Sequence, residues 1–320
     1  MRSGAQILSL LAAPLNASIL RSLAEGPQQQ SDLRSKAGLP AQSTLRAQLK
    51  RLAEIGAIEK NRRNDFPRAI EYELSSSGHD LLFVLATLDA WLGKAPERPL
   101  SLNENAAKAA IKSLATGWST TMLRALAAAP LSLTELDGLI GSLSYPSLER
   151  RLAAMRLAGQ IVSRPSNGRG TPYAVTDWLR QGTAPLIAAS RWERCHRPQQ
   201  SPLFSRLDAE TVFLLATRLL RLPTELSGSC TMAVKTADGR RRRLAGVSIE
   251  VRDGKVDSCT TKIERGAEAS ALGPPPAWLA AVIERDLEQL ELGGNGRLAR
   301  TMLECLHEAL FGPVVAETYA

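Results

Sequence analysis

Gln42, Ser43, Thr44, Arg46 and Lys50 fall within nine residues, and their types suit one kind of chemistry. Arg pairs with guanine edges, Gln with adenine, and Ser, Thr and Lys with backbone phosphates. The same stretch places Leu45, Leu49 and Leu52 at i, i+4 and i+7, an apolar stripe that leaves the basic and polar side chains on the opposite face of a helix. Gly56 ends that helix, and a hairpin is predicted from Ile58 to Leu74. Its tip carries Arg62, Arg63 and Arg68 around Asn64 and Asp65, too polar to be buried and placed to reach phosphates or a minor groove. A reading helix followed by a basic-tipped hairpin is the winged helix-turn-helix pattern.

The elements that must position these residues occur twice. A shift of 103 carries Leu20, Arg21, Leu23, Pro27, Leu33, Leu45, Leu49, Gly56 and Ile58 onto Leu123, Arg124, Leu126, Pro130, Leu136, Leu148, Leu152, Gly159 and Ile161. The second hairpin is two residues shorter, so that Tyr72 answers to Tyr173 and Leu74 to Val175. This reads as an internal duplication. In the second copy the reading helix from Tyr145 to Leu157 offers Tyr145, Ser147, Arg150 and Arg151, and the short wing offers Arg169. Glu149, however, replaces Arg46, and a carboxylate there repels phosphate. Either both copies touch DNA with different base preferences, or the second has become a packing partner for the first.

In chain order, short helices are expected at 5–11 and 17–24, the second capped by Asn16, and then a helix capped by Ser31. The apolar face of 79–92 exceeds what one small domain needs, so this helix is expected to pack against the other copy or a second subunit. Pro-rich 93–102 and 196–202 serve as linkers. From residue 203 the pattern changes: an apolar helix at 209–222, strands at 229–235, 241–251 and 255–264 with turns at Asp238-Gly239 and Asp253-Gly254, then helices at 276–290 and 298–310. Gly293 to Gly296 reads as a helix-to-helix turn, having no Lys or GxGxxG spacing for phosphate. The expected fold is mostly α with small α+β parts. Two winged helix-turn-helix units (1–95 and 103–195) precede a small α+β domain (203–320), an antiparallel sheet covered by helices. Leu214, Leu215, Val247, Ile249, Trp278, Val282, Met302 and Leu303 are its candidate pocket lining.

Charge supports this division. The chain carries +8, with 13 Lys+Arg against 10 Asp+Glu in residues 1–98, 11 against 6 in 99–196, and 16 against 16 in 197–320, so the whole excess lies in the two copies. Cys195, Cys230, Cys259 and Cys305 are far apart with no CxxC pair, which indicates neither a zinc site nor a disulfide framework. With three histidines, none beside a plausible nucleophile and orienting carboxylate, no catalytic constellation is read. No metal or cofactor is expected, no apolar run reaches membrane-spanning length, and a cytoplasmic protein is expected.

The segment from Leu15 through the reading helix to Lys60, with the wing that ends at Leu74 and Ser75, resembles bacterial winged-helix repressors of the HxlR and MarR type, and the second copy looks like the same family with a divergent reading helix. The last 120 or so residues, by their order of helix and strands and by Gly293 to Leu303, are similar to sterol-carrier-protein-like domains, which implies a hydrophobic tunnel. HxlR-type regulators often carry an N-terminal effector cysteine, whereas no cysteine precedes Cys195 here, so redox sensing by the reading domain is not expected. Together these readings imply a transcriptional regulator, expected to repress, with double-stranded DNA as partner and a hydrophobic small-molecule effector, working as a single-chain pseudo-dimer or a homodimer. The competing readings are a lipid or small-molecule carrier and a protein–protein adaptor with the winged helices as scaffold.

Overall fold

The computed structural model describes residues 3–62, 70–117, 120–165, 170–201, 205–238, 241–264 and 266–318. The chain opens with α1 (Ala5–Leu11) and α2 (Pro14–Ala24), followed by β1 (Gln28–Gln29), α3 (Gln30–Lys36), α4 (Gln42–Glu54), β2 (Ile58–Arg62), β3 (Ile70–Leu74) and α5 (Ser76–Gly93). Pro14 begins α2, where its missing N–H costs nothing. Asn16 is therefore not a cap: it is buried, and its Nδ2 donates to Leu10 O at 2.8 Å, tying α1 to α2. Ser31 is likewise inside α3, whose entry is held by Asp32 accepting from Gln29 N.

In α4 the stripe of Leu45, Leu49 and Leu52 is fully buried. The helix stops at Gly56, whose φ of 81° only glycine adopts without strain, and Ala57 N closes back on Leu52 O at 2.9 Å. The three strands pair antiparallel in the order β1-β3-β2. Ser75 caps α5, and its hydroxyl and that of Ser77 both donate to Gly56 O. Gly78 is required because a Cβ there would lie 2.0 Å from Ala57 O. The end of α4, the hairpin base and the start of α5 are thus one hydrogen-bonded corner.

The next elements are α6 (Asn105–Lys112), a π-helical turn (Ser113–Gly117), α7 (Thr120–Ala128), α8 (Leu133–Leu139), α9 (Tyr145–Leu157), β4 (Ile161–Ser163), β5 (Tyr173–Val175), α10 (Asp177–Gln181) and α11 (Thr183–His196). Leu148, Leu152 and Met155 bury one face of α9. Gly159 ends it at φ 70°, Gln160 N bonds Met155 O at 2.9 Å, and Thr176 Oγ1 bonds Gly159 O at 3.0 Å. Leu131 forms an isolated bridge with Tyr173. After the second hairpin there are two helices and not one, because Gly182 and Pro185 interrupt the backbone ladder.

The last part holds α12 (Arg206–Ala216) with a 3₁₀ turn (Thr217–Leu219), β6 (Gly228–Asp238), β7 (Arg241–Arg252), β8 (Lys255–Thr260), β9 (Ala269–Gly273), α13 (Pro275–Glu284), β10 (Glu291–Gly294) and α14 (Gly296–Thr318). The sheet order is β10-β9-β6-β7-β8. Two expectations are corrected. The sheet is mixed and not purely antiparallel, since β9 returns beside β6 and runs parallel to it. Leu292, Gly293 and Gly294 form an edge strand against β9 instead of a helix-to-helix turn, and α13 ends at Glu284, before Arg285 in the left-handed region. Asp253 and Gly254, both at positive φ, form the turn between β7 and β8.

The buried side chains form one continuous core. Through it α5 packs along α11, α14 packs on α5, and α12 lies between α7 and the sheet. Trp91 of α5 stacks on Trp178 of α10 with ring centroids 4.7 Å apart, and each indole N–H donates to the other residue's backbone carbonyl at 2.8 Å. Trp192 of α11 donates to Ser77 O of α5 at 2.6 Å. Replacing Trp91 by Ala removes a buried ring and one of the two donors to Trp178 O, the other being Gly182 N, so urea unfolding of Trp91→Ala is expected to show a loss of roughly 3–5 kcal/mol.

Candidate nucleic-acid interface and effector cavity

The polar side of α4 is open to solvent. Gln42, Ser43, Thr44, Arg46 and Lys50 are all exposed, while the three leucines between them anchor the helix. Lys50 Nζ lies 3.7 Å from Glu54 Oε1, an exposed pair that leaves the ammonium available to a phosphate. Arg62, opposite Ile70 at the end of β2, is exposed as well. Arg63 and Arg68 lie outside the described residues. The strands beneath the tip are acidic: Glu59 pairs across the ladder with Glu73, Asn61 pairs with Glu71, and Asn61 Nδ2 donates to the Glu73 carboxylate. Against these carboxylates the described part of the hairpin sets exposed Lys60 and Arg62, both on β2.

On α9, Tyr145 and Arg150 are exposed, Ser147 and Arg151 are half-buried, and Arg151 is engaged by a neighbour. Arg169 lies outside the described residues. Glu149 is exposed beside Arg150, so the polar face of α9 carries both signs where that of α4 carries only positive charge through its first two turns. Sequence reading did not find what holds α7 in place. Arg124 of α7 donates to the buried Glu210 of α12 at 2.5 Å and to Thr261 Oγ1 at 3.0 Å, and Arg206 pairs with the other oxygen of Glu210 at 2.6 Å. Nothing in the local pattern marks Glu210, which follows Arg206 and Asp208 in the polar first half of α12 and takes its meaning only from the element packed against it.

An apolar cavity of about 80 Å³ lies where these parts meet. One wall comes from Ser3, α7 and α11, the other from α12, α13, α14 and β6. Of the residues expected to line a pocket, Leu215, Trp278 and Val282 do so. Leu214, Val247, Ile249, Met302 and Leu303 are buried but do not face this cavity, because it opens between the C-terminal part and α11 and not between the sheet and its own helices. Trp278 is held edge-on to Phe213 with centroids 4.8 Å apart, its indole N–H on Ala233 O at 3.0 Å. Beside the cavity, Glu193 is buried and accepts from Gly4 N at 2.7 Å; burial pushes its carboxyl above the usual range, against the pull of that hydrogen bond. Burial likewise lowers the Arg194 guanidinium, with Glu193 opposing the shift.

A second, wider cleft is lined by Phe83 of α5, Trp192 of α11, and Arg285 and His307 of the C-terminal part. His307 is buried, and its Nδ1–H donates to Val282 O at 3.0 Å, which fixes the neutral tautomer. Burial holds its basicity below the ordinary histidine value. Among the described residues no group of three His, Cys, Asp or Glu side chains could hold a metal, and no single helix is long and apolar enough to cross a membrane.

Residues 11–98 match the HxlR-like helix-turn-helix family, a stretch that runs from the end of α1 through α4 and its wing to the end of α5. No curated protein matches the chain. The N-terminal part is thus an HxlR-like helix-turn-helix domain, the kind of domain that DNA-binding transcriptional regulators carry.

A depressed His307 makes the unfolded chain bind a proton more readily than the folded one, so stability is full above the ordinary histidine pKa of about 6.5 and falls as pH drops through it. The urea midpoint of the parent is accordingly expected to fall more steeply between pH 7.5 and 5.5 than that of His307→Gln. Parallel curves would show that His307 does not control this dependence.

Proposed function

We propose that this protein, with an HxlR-like reading domain at residues 11–98, is a DNA-binding transcriptional regulator that carries two winged helix-turn-helix units on one chain as a pseudo-dimer. Its C-terminal domain senses a hydrophobic small molecule. The observation that carries the pseudo-dimer is a pair of hydrogen bonds. Trp91 donates to Trp178 O, and Trp192 donates to Ser77 O. Trp192 stands 101 residues after Trp91, and Trp178 stands 101 after Ser77, the same offset that relates the two wings. A contact from i to j repeated as j to i is what a two-fold axis produces in a dimer of identical chains.

Local contacts recur as well, at an offset of 103 before the wing and 101 after it. Ser75 and Thr176 bond the carbonyls of Gly56 and Gly159, Gln28 pairs with Tyr72 as Leu131 does with Tyr173, and Asp32 and Glu135 each reach back to the backbone N–H three residues earlier. The paired seam supports reading heads on α4 and α9 set at a fixed separation, as the two halves of an operator about one helical turn apart require. Because the helices differ, most plainly at Arg46 and Glu149, the two half-sites differ too. Repression follows if both heads close over an upstream site in the cytoplasm. The acidic face of Glu149 favours one alternative, a second unit that serves only for packing, which would make the chain a one-headed binder or an adaptor.

The test is a salt titration of binding to the protein's own upstream DNA by fluorescence anisotropy, with footprinting. The parent is expected to bind with a steep salt dependence, and Arg46→Ala and Arg150→Ala each to weaken it about tenfold while lowering the salt slope by about 1. Loss of binding in Arg46→Ala alone, with a footprint over one half-site, leaves only the first head. No binding above random DNA rejects the regulator reading.

A further inference from the structure

The cavity at the joint has apolar walls interrupted by a few polar side chains. Ser3, with 4% exposure, has a hydroxyl that meets no hydrogen-bond partner among the described residues. Such a buried group costs stability unless something satisfies it. It lines the cavity together with Arg194 and Ser190, where the residues before α1 press on α11 so closely that a Cβ on Gly4 would lie 2.8 Å from Leu186 O. Ser190 and Thr183 spend their protons on Leu186 O and Arg180 O, so they face the cavity as acceptors only. The groups able to donate at this end are the Ser3 hydroxyl and the Arg194 guanidinium, whose five N–H groups can serve a protein neighbour and a ligand together. The carboxylate of Asp208 lines the cavity from α12 but is already engaged by Ser205 and Thr120.

We propose that this cavity binds a monocarboxylic acid with a compact apolar body, its carboxylate taken by Arg194 and Ser3 and its body packed against Trp278, Leu215 and Val282. The proposal rests on the sensing reading above and gives it a ligand class. A volume of about 80 Å³, roughly half that of an apolar cavity known to take benzene, excludes an extended lipid and limits the body to a single ring or a short branched chain, which would enter only as α11 and α12 draw slightly apart. Orientation follows from charge, since an anionic head placed at Asp208 would meet a carboxylate, whereas at Arg194 it meets a half-buried cation. The ligand would touch the C-terminal domain and α11 at once, and α11 is the helix whose Trp192 grips the first unit.

Isothermal titration calorimetry of the full chain with benzoate and with 4-methylpentanoate tests this, with benzamide and 4-methylpentanamide as neutral counterparts. At least one acid is expected to bind saturably and at least about tenfold tighter than its amide, and Arg194→Gln is expected to remove that preference. Whichever acid wins tells an aromatic from an aliphatic effector. Should Arg194→Gln not fold, Ser3→Ala, which deletes one hydroxyl, is expected to weaken the acid roughly two- to tenfold. Absence of saturable binding by either acid, equal affinity for acid and amide, or undiminished acid binding in both variants overturns the site. Anisotropy on upstream DNA with the winning acid then separates the two readings: an acid that binds as described but leaves DNA affinity unchanged upholds the site and refutes sensing.

Discussion

The reciprocal tryptophan seam is the constraint on which the rest of the arrangement depends. Each indole buries on the order of 150–250 Å² and uses its one donor on a backbone carbonyl of the other segment, so the contact is both adhesive and directional. Directionality matters because α4 and α9, the two reading helices of the proposed regulator, are tied to this seam by short chains of hydrogen bonds. The C-terminus of α4 is held through Gly56 to Ser75 and Ser77 at the start of α5, and that of α9 through Gly159 to Thr176 at the start of α10. A shift of α5 against α11 would therefore be carried to the heads with little slack between, since each corner closes on a glycine carbonyl and not on a flexible side chain.

On the proposed pseudo-dimer reading the two halves have diverged around this seam, and the divergence has a direction. Arg21 in α2 pairs with Asp89 at the surface, an exposed bridge of small worth. Its counterpart 103 residues later, Arg124 in α7, reaches the buried Glu210 of the C-terminal domain. The same position has been turned from a local surface pair into a docking contact, and a buried carboxylate that loses one of two arginines is left poorly compensated. The break at Gly182 and Pro185 belongs to the same change. A Cβ on Gly182 would lie 3.3 Å from the Trp91 ring, so the helix that continues unbroken as α5 in the first half gives way in the second where the Trp91 ring rests. On that reading the first half keeps an open reading face that is basic through its first two turns, and the second half packs on the C-terminal part.

What could be read from the sequence was whatever is encoded locally. The leucine stripe of α4, the glycines that end α4 and α9 at positive φ, and the Asp253-Gly254 turn follow from periodicity and backbone sterics, and all appear where expected. The strands β9 and β10 did not announce themselves, because Ala269 to Gly273 and Glu291 to Gly294 are rich in small residues and their pairing is set by partners far along the chain. Asn16 and Ser31 have the chemistry of caps, yet Pro14 and Gln29 start those helices, so nearby backbone geometry outranked side-chain preference. The cavity was legible only in part. Apolar residues on α12 and α13 were picked out, but which of them face the void depends on α11, and no pattern within residues 203–320 specifies that neighbour.

The position of the cavity bears on how a bound molecule could act. A ligand moves a conformational equilibrium only by as much as it prefers one arrangement over the other, about 1.4 kcal/mol for each tenfold change in affinity. A cavity enclosed within the C-terminal domain alone would offer little such preference, because its walls would move together. Here the walls belong to separate units: Ser3, α7 and α11 on one side, α12, α13 and α14 on the other. They are bridged by the polar cluster of Arg124, Glu210 and Arg206, and further by Thr120 on Asp208 and Arg191 on Glu284. On the proposed reading, filling the cavity would reset α11 relative to α12 about that cluster. Because α11 also carries Trp192, the displacement would arrive at the seam itself, the one place where a small rotation separates both reading helices at once.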